Sequence, residues 1–256
     1  MNLEAHLRER RDGGSKLLVP YVTGGLGAEW LDVVRAVADA GADAIEIGIP
    51  FSDPVMDGPT IQQASQQALD AGATPAKIIA DAAQLDIDVP LVVMTYYNPV
   101  HHAGHARFAS TLVDAGIDGA IVPDLPLDEL DGWGDAADAA GVETVLLASP
   151  ITPDARLRAI CERSRGFVYG VSLLGVTGER TALASQAADT GRRLKAATDR
   201  PVLLGVGISD PEQAVTASAT ADGVVVGSAL IARLLRGEGP EGAHQFVGEL
   251  RKAMGP

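Results

Sequence analysis

Cysteine is all but missing from this chain. Its 256 residues include one, Cys161, so no internal disulfide can form and nothing points to an oxidising compartment. Lysine is nearly as scarce, with four copies at Lys16, Lys77, Lys195 and Lys252. Aromatic residues make up 4%, so a gathering of them at one end of a fold would carry information. Positive charge is in deficit: 20 Lys and Arg face 34 Asp and Glu, a formal net charge of −14. That balance argues against a basic nucleic-acid footprint. An anionic substrate would have to be held by local dipoles, because the overall field does not attract it. No apolar run is long enough to span a bilayer. The first residues, "MNLEAHLRERRDGGSK", are charged and lack the apolar centre of a secretion signal, so the expected location is the cytoplasm.

What the chain does have is one phrase used repeatedly. "DAGADAIEIGIP" at Asp39, "DAGIDGAIVPDLP" at Asp114, "AAGVETVLLASP" at Ala139 and, more loosely, "TADGVVVGSA" at Thr220 share it. A helix-like stretch meets a small residue and Gly, then an acidic or polar residue, then a short apolar run. Gly closes a helix in the left-handed conformation. A strand buried on both faces reads as continuously apolar, not alternating. Eight such runs begin near Leu17, Ala44, Leu91, Gly119, Thr144, Phe167, Val202 and Val224.

Helical patterns separate these runs, at Glu29–Ala40, Thr60–Asp70, His105–Ala115, Leu127–Ala140, Asp154–Arg163, Ala187–Ala197, Pro211–Ala219 and Ala229–Leu235. Extra helices are expected at Ala5–Arg11, at Pro75–Leu85 and at the C-terminus. "DAGATP" at Asp70 imitates the phrase, but another helix follows it. Eight β-then-α units in this length predict an α/β protein, a (β/α)8 TIM barrel with extra helices. The rival is a doubly wound sheet, whose dinucleotide turn G-x-G-x-x-G is not what "VTGGLG" spells after the first strand. No linker or low-complexity stretch divides the chain, so residues 1–256 read as a single barrel domain.

Barrel active sites lie at the C-terminal ends of the strands, and phosphate is commonly held after strands seven and eight. Strand seven ends in "GVGIS", with Gly205 and Gly207, and strand eight in "VGSA", with Gly227 and Ser228. Glycines let backbone N–H groups approach a phosphate, and the following helix adds its dipole. Either loop alone is no more than a tight turn. Together, at the two expected ends, they predict a phosphate site that needs no Lys or Arg.

At the same mouth, "EIGIPFSDPVMDGPT" sets Glu46 inside the second apolar run and Asp57 on the loop it feeds. Burying an unpaired carboxylate is costly or forces its pKa upward. A Glu so treated can serve as both acid and base near neutral pH. The bland alternative is a buried Glu–Arg pair and an ordinary turn Asp before Gly58. None of the four lysines falls at a strand's C-terminal end, which removes Schiff-base aldol chemistry. "HHAGH" at His101 has no further His at a strand end and reads as a solvated loop and helix start, not a metal site. Cys161 sits in a helical pattern with no nearby His. Acid–base chemistry on a phosphorylated substrate, without metal or cofactor, remains. Tyr21, Tyr96 and Tyr169 are expected to end strands one, three and six, so scarce aromatics gather at the mouth. The long small-residue loop "GVTGERTALASQ" after strand six is a candidate lid.

These motifs resemble the tryptophan synthase alpha subunit family, whose "ELGIPFSDPxxDGPTIQ" is matched nearly throughout by "EIGIPFSDPVMDGPTIQ". "GVTG", "GVGIS" and "GSA" follow in the family's order, and the resemblance covers essentially the whole chain. It implies retro-aldol cleavage of indole-3-glycerol phosphate to indole and D-glyceraldehyde 3-phosphate. Glu46 falls on the family's acid/base and Asp57 on the carboxylate that binds the indole N–H. Tyr169 matches a tyrosine beside the acid/base, Thr177 and Gly178 the lid, and Gly207, Gly227 and Ser228 the phosphate ligands. Tyr21, Ile61, Tyr96, Ile121 and Asp124 match positions lining the indole pocket or its entrance.

The resemblance also implies a pyridoxal-phosphate-dependent beta subunit in an alpha2beta2 assembly, contacted through Pro50 and Asp53, while this chain carries no cofactor. One departure stands out: the family's T-x-G-D-P after strand one is "TGGLG" here, Thr23 to Gly27. A freestanding indole-releasing lyase, a phosphosugar isomerase, and a barrel that only docks on and activates a partner are the alternatives.

Overall fold

The computed structural model describes residues 2–171 and 180–255. Eight parallel strands close into a barrel in sequence order: β1 Leu17–Thr23, β2 Ile45–Gly48, β3 Leu91–Met94, β4 Gly119–Ile121, β5 Glu143–Ala148, β6 Val168–Val171, β7 Val202–Gly205 and β8 Gly223–Val226. β1 pairs with β8 to complete the ring. Around it lie α1 Leu3–Asp12, α2 Trp30–Asp39, α3 Pro59–Asp70, α4 Pro75–Ala82, α5 Tyr97–Ala103, α6 His105–Asp114, α7 Asp131–Ala140, α8 Asp154–Arg163, α9 Arg180–Ala197, α10 Pro211–Ser218, α11 Ser228–Leu235 and α12 Gly239–Met254. Among the described residues no helix is long and apolar enough to cross a membrane.

The acidic residue of the repeated phrase has a structural use. Asp43 accepts a hydrogen bond from the Leu18 N–H (2.8 Å), Asp118 from Leu91 (3.1 Å) and Asp222 from Val202 (2.8 Å). Ser164 takes the same part toward Leu146 (3.0 Å). Each side chain precedes an even-numbered strand and satisfies an amide of the odd-numbered strand before it, in the first two residues for the three aspartates and in mid-strand for Ser164. Leaving such a buried N–H unpaired would cost about 1–3 kcal/mol. Asp43 is itself buried and held by Arg10 (2.7 Å) and Arg251 (3.3 Å), and Lys195 pairs with both oxygens of Asp222 (2.9 Å each). These contacts staple the N-terminal end of the barrel. Leu3 and Leu7 of α1 are fully buried there against Leu17, Val92 and Phe167, plugging the ring from below.

Three elements differ from expectation. The stretch Leu127–Ala140 is a 3-10 turn, Leu127–Glu129, followed by α7. The Glu129 N–H bonds the Pro126 carbonyl at 2.9 Å, and the α-helical pattern starts with Gly134 to Leu130. α9 begins at Arg180, seven residues ahead of the expected Ala187; its first turns lack an apolar stripe, so periodicity could not show them. The solvated loop read at His101 is the end of a helix, Tyr97–Ala103. Pro99 falls in its first turns, where a missing N–H breaks no hydrogen bond, and Gly104 at φ +85° separates it from α6.

Candidate active site

Strand alternation builds the site. Ile45 and Ile47 pack outward under the helices, so Glu46 between them points into the barrel. Glu46 is 1% exposed, and its Oε2 has no hydrogen-bond partner among the described residues. Burial first, and then the charge of Asp57, push its pKa up to about 8. The bland alternative, a Glu–Arg pair, is not what the described residues form, and the carboxyl is poised to change protonation near neutral pH.

Asp57 sits on the β2–α3 loop. Its Oδ2 accepts from the Tyr96 hydroxyl at 3.2 Å, and its backbone carbonyl accepts from Gln62 Nε2 at 2.8 Å. Burial raises its pKa, and the hydrogen bond from Tyr96 partly offsets the rise. Tyr21 lies directly opposite Glu46 in the β1–β2 register. Burial raises the Tyr21 and Tyr169 hydroxyls, with the nearby carboxylates adding to it, so both stay neutral donors. Room for these rings comes from glycine: a Cβ at Gly48 would overlap the Tyr21 hydroxyl, and one at Gly205 would overlap the Tyr169 ring. Gly205 thus serves ring packing as well as backbone access.

A cavity of about 200 Å³ joins these groups. Of the residues expected from sequence, it is lined by Glu46, Asp57, Tyr21, Ile61 and Tyr169. Gly205, Gly207, Gly227 and Ser228 line it as well. Gly207 has φ +74°, a conformation that disfavours any side chain. Ser228 is the first residue of α11, so the helix N-terminus opens on the cavity beside Gly227.

Three expected lining residues are placed elsewhere. Tyr96 is two residues beyond β3, 4% exposed, and stands behind Asp57. Ile121 is fully buried in the barrel interior with Val92 and Val145. Asp124 is exposed and accepts the Tyr97 N–H at 2.8 Å. Nor do the tyrosines strictly end strands: Tyr21 is two residues short of the end of β1, and Tyr169 is the second residue of β6. Thr177, Gly178 and the rest of residues 175–179 in the candidate lid lie outside the described residues, while residues 180–186 belong to α9.

Met56, Gly58, Met94, Pro123, Leu147, Val171 and Val225 complete the wall and were not anticipated. A continuously apolar strand hides which residues face inward. Strand register supplies the missing signal, since Met94 follows the inward Val92 on β3 by two residues.

Lys16 and Lys195 are engaged at the other end of the barrel, with the Ser218 and Ala221 carbonyls and with Asp222. His105 Nε2 meets the Tyr97 hydroxyl at 3.0 Å, and no cluster of His, Cys, Asp and Glu among the described residues is arranged to hold a metal. Burial raises the Cys161 thiol, which packs in the core. The "TGGLG" departure also has a physical account. A Cβ at Gly24 would strike Ile78, Gly25 has φ +77°, and Leu26 packs against Tyr21, Ile61 and Ile231. An apolar side chain backs the cavity wall there.

Residues 7–254 match the family model described as tryptophan synthase alpha chain. The chain belongs to the tryptophan synthase alpha chain family. Among its relatives, the tryptophan synthase alpha chain of Gluconacetobacter diazotrophicus is 49% identical over 80% of this chain and 76% of its own. That of Picosynechococcus is 38% identical over 99% of each. A solved tryptophan synthase from Mycobacterium tuberculosis superposes with a TM-score of 0.91 at 37% identity, covering 98% and 97% of the two chains. A structure from Aquifex aeolicus gives 0.92 at 32% identity, covering 99% of each. Tryptophan synthase alpha chains are carbon–carbon lyases of tryptophan biosynthesis that cleave indole-3-glycerol phosphate to indole and D-glyceraldehyde 3-phosphate, and this is the activity of the chain.

Proposed function

We propose that Glu46 is the proton shuttle of this cleavage and that Asp57 receives the indole N–H. Protonated Glu46 delivers its proton to indole C3, leaving a positive charge shared with the ring nitrogen. Ionised Asp57 stabilises that charge through the N–H. Glu46, now a carboxylate, takes the proton of the C3′ hydroxyl. The C3–C3′ bond then breaks, its electron pair restores the aromatic ring, and the hydroxyl-bearing carbon becomes the aldehyde. Glu46 ends protonated, as it began. Gly207, Gly227 and Ser228 would hold the phosphate through backbone N–H groups and the α11 N-terminus, which suits an acidic protein.

The observation that carries this reading is the buried, unpartnered carboxyl oxygen of Glu46, with a pKa near 8, in one cavity with Asp57. Glu46→Gln keeps the shape and removes the shuttle. Indole release should fall at least about a hundredfold with little change in KM; near-normal turnover refutes the assignment.

The partner reading follows from the same face. A groove of about 540 Å³ runs between Pro50–Ser52 and helices α4, α5 and α6. Beside it the loop presents exposed Asp53, Val55 and Met56. This apolar groove supports docking of a pyridoxal-phosphate-dependent tryptophan synthase beta subunit in an alpha2beta2 assembly, which would take up the indole. The cytoplasm is the compartment consistent with that role.

A further inference from the structure

Tyr96 touches one loop at three places. Its ring stacks on Phe51 at the loop's start, with centroids 5.0 Å apart and planes 24° from parallel. Its hydroxyl accepts the Met56 N–H at 2.9 Å and donates to Asp57 Oδ2 at 3.2 Å. A phenol has one proton to give. Here that proton goes to the carboxylate, while an oxygen lone pair takes the backbone amide, so both contacts are directional.

The barrel side of Tyr96 is also anchored. The next residue, Tyr97, gives its N–H to Asp124 on the loop after β4. The β2–α3 loop, in contrast, has Val55 76% exposed and Met56 38% exposed at its tip. Asp57 Oδ1 takes no hydrogen bond among the described residues, which leaves it for a ligand.

We propose that Tyr96 is a positioning residue for Asp57, clamping the carboxylate and the adjoining backbone so that Oδ1 meets the substrate nitrogen. The proposal rests on the reading of Asp57 given above. It places Tyr96 outside the substrate-contacting wall, in agreement with its absence from the cavity lining. Donation from the hydroxyl also favours the ionised carboxylate, the form that stabilises positive charge on the ring.

Tyr96→Phe keeps the ring on Phe51 and removes only the hydroxyl. The expected result is a kcat for indole release lower by at least about tenfold, with KM within about twofold, because the lost contact matters in the transition state and not in uniform binding. In an Asp57→Asn background the same substitution should cost less than about twofold, since the two residues act as one unit. Three results overturn the proposal: a raised KM with kcat unchanged, losses that multiply in the double variant, or wild-type kinetics for Tyr96→Phe. Wild-type protein that releases no indole from indole-3-glycerol phosphate overturns the reaction assignment, and the proposal with it.

Discussion

At the scale of the residue, the proton that Glu46 is proposed to shuttle also bears on stability. The folded chain holds its proton more tightly than the unfolded chain does, since its pKa rises from 4.5 to about 8. The contribution of this group to stability is therefore fully present below 4.5 and is lost as pH rises toward about 8. Glu46→Gln removes the titration. The variant should melt at least about 2 °C above wild type at pH 8 and show no such advantage at pH 4, in thermal scans at both pH values. An advantage of equal size at both pH values would mean that the gain is packing, not the proton. The neighbouring tyrosines resist ionisation for the same reason of burial, so they offer the site neutral hydrogen bonds across the working pH range.

At the scale of the element, the two ends of each strand do different work. At the N-terminal end, side chains from Asp43, Asp118, Ser164 and Asp222 satisfy strand amides. At the C-terminal end, the loops after β7 and β8 leave backbone groups and the start of α11 facing the cavity. The phosphate recognition proposed there needs no cationic side chain, because glycine permits close approach and the helix N-terminus supplies partial positive charge. Glycerol phosphate should accordingly inhibit indole release competitively, and glycerol at the same concentration should not. Equal inhibition by both would remove the case for a phosphate site at Gly207, Gly227 and Ser228.

At the scale of the whole molecule, the candidate active-site cavity and the Pro50-lined groove flank the same β2–α3 loop. Tyr96 and Phe51 form the stacked pair between them. A partner seated in the groove would press on the loop that carries Asp57. Adding a tryptophan synthase beta subunit should therefore raise indole release by about ten- to a hundredfold, a coupling of about 1.4 to 2.7 kcal/mol. Indole release with and without that subunit, together with the mass by light scattering, measures this. Full activity from the chain alone, unchanged by the partner, would favour a freestanding lyase.

The sequence by itself pointed to the barrel, because eight buried apolar runs separated by helical patterns make eight β-then-α units in this length, and the turn after the first run lacks the dinucleotide pattern of the doubly wound rival. It also determined the two carboxylates: a Glu inside such a run and an Asp on the next loop are anomalies that burial energetics make conspicuous. Tertiary structure decided what depends on direction. Which residues of a continuously apolar strand face inward is invisible without register, so Met94, Val171 and Val225 went unnoticed; Ile121, which the resemblance put at the indole pocket, does face inward but lies outside the cavity lining. Tyr96, Tyr97 and Asp124 lie 28 positions apart or fewer in the chain, yet only folding shows that one hydroxyl meets Asp57 and one amide meets Asp124. Gly205 was legible as a backbone opening, but the Tyr169 ring lying across it is a contact between strands. Periodicity reports the environment of a residue along its own element, and the partner on the neighbouring element enters only when the barrel closes.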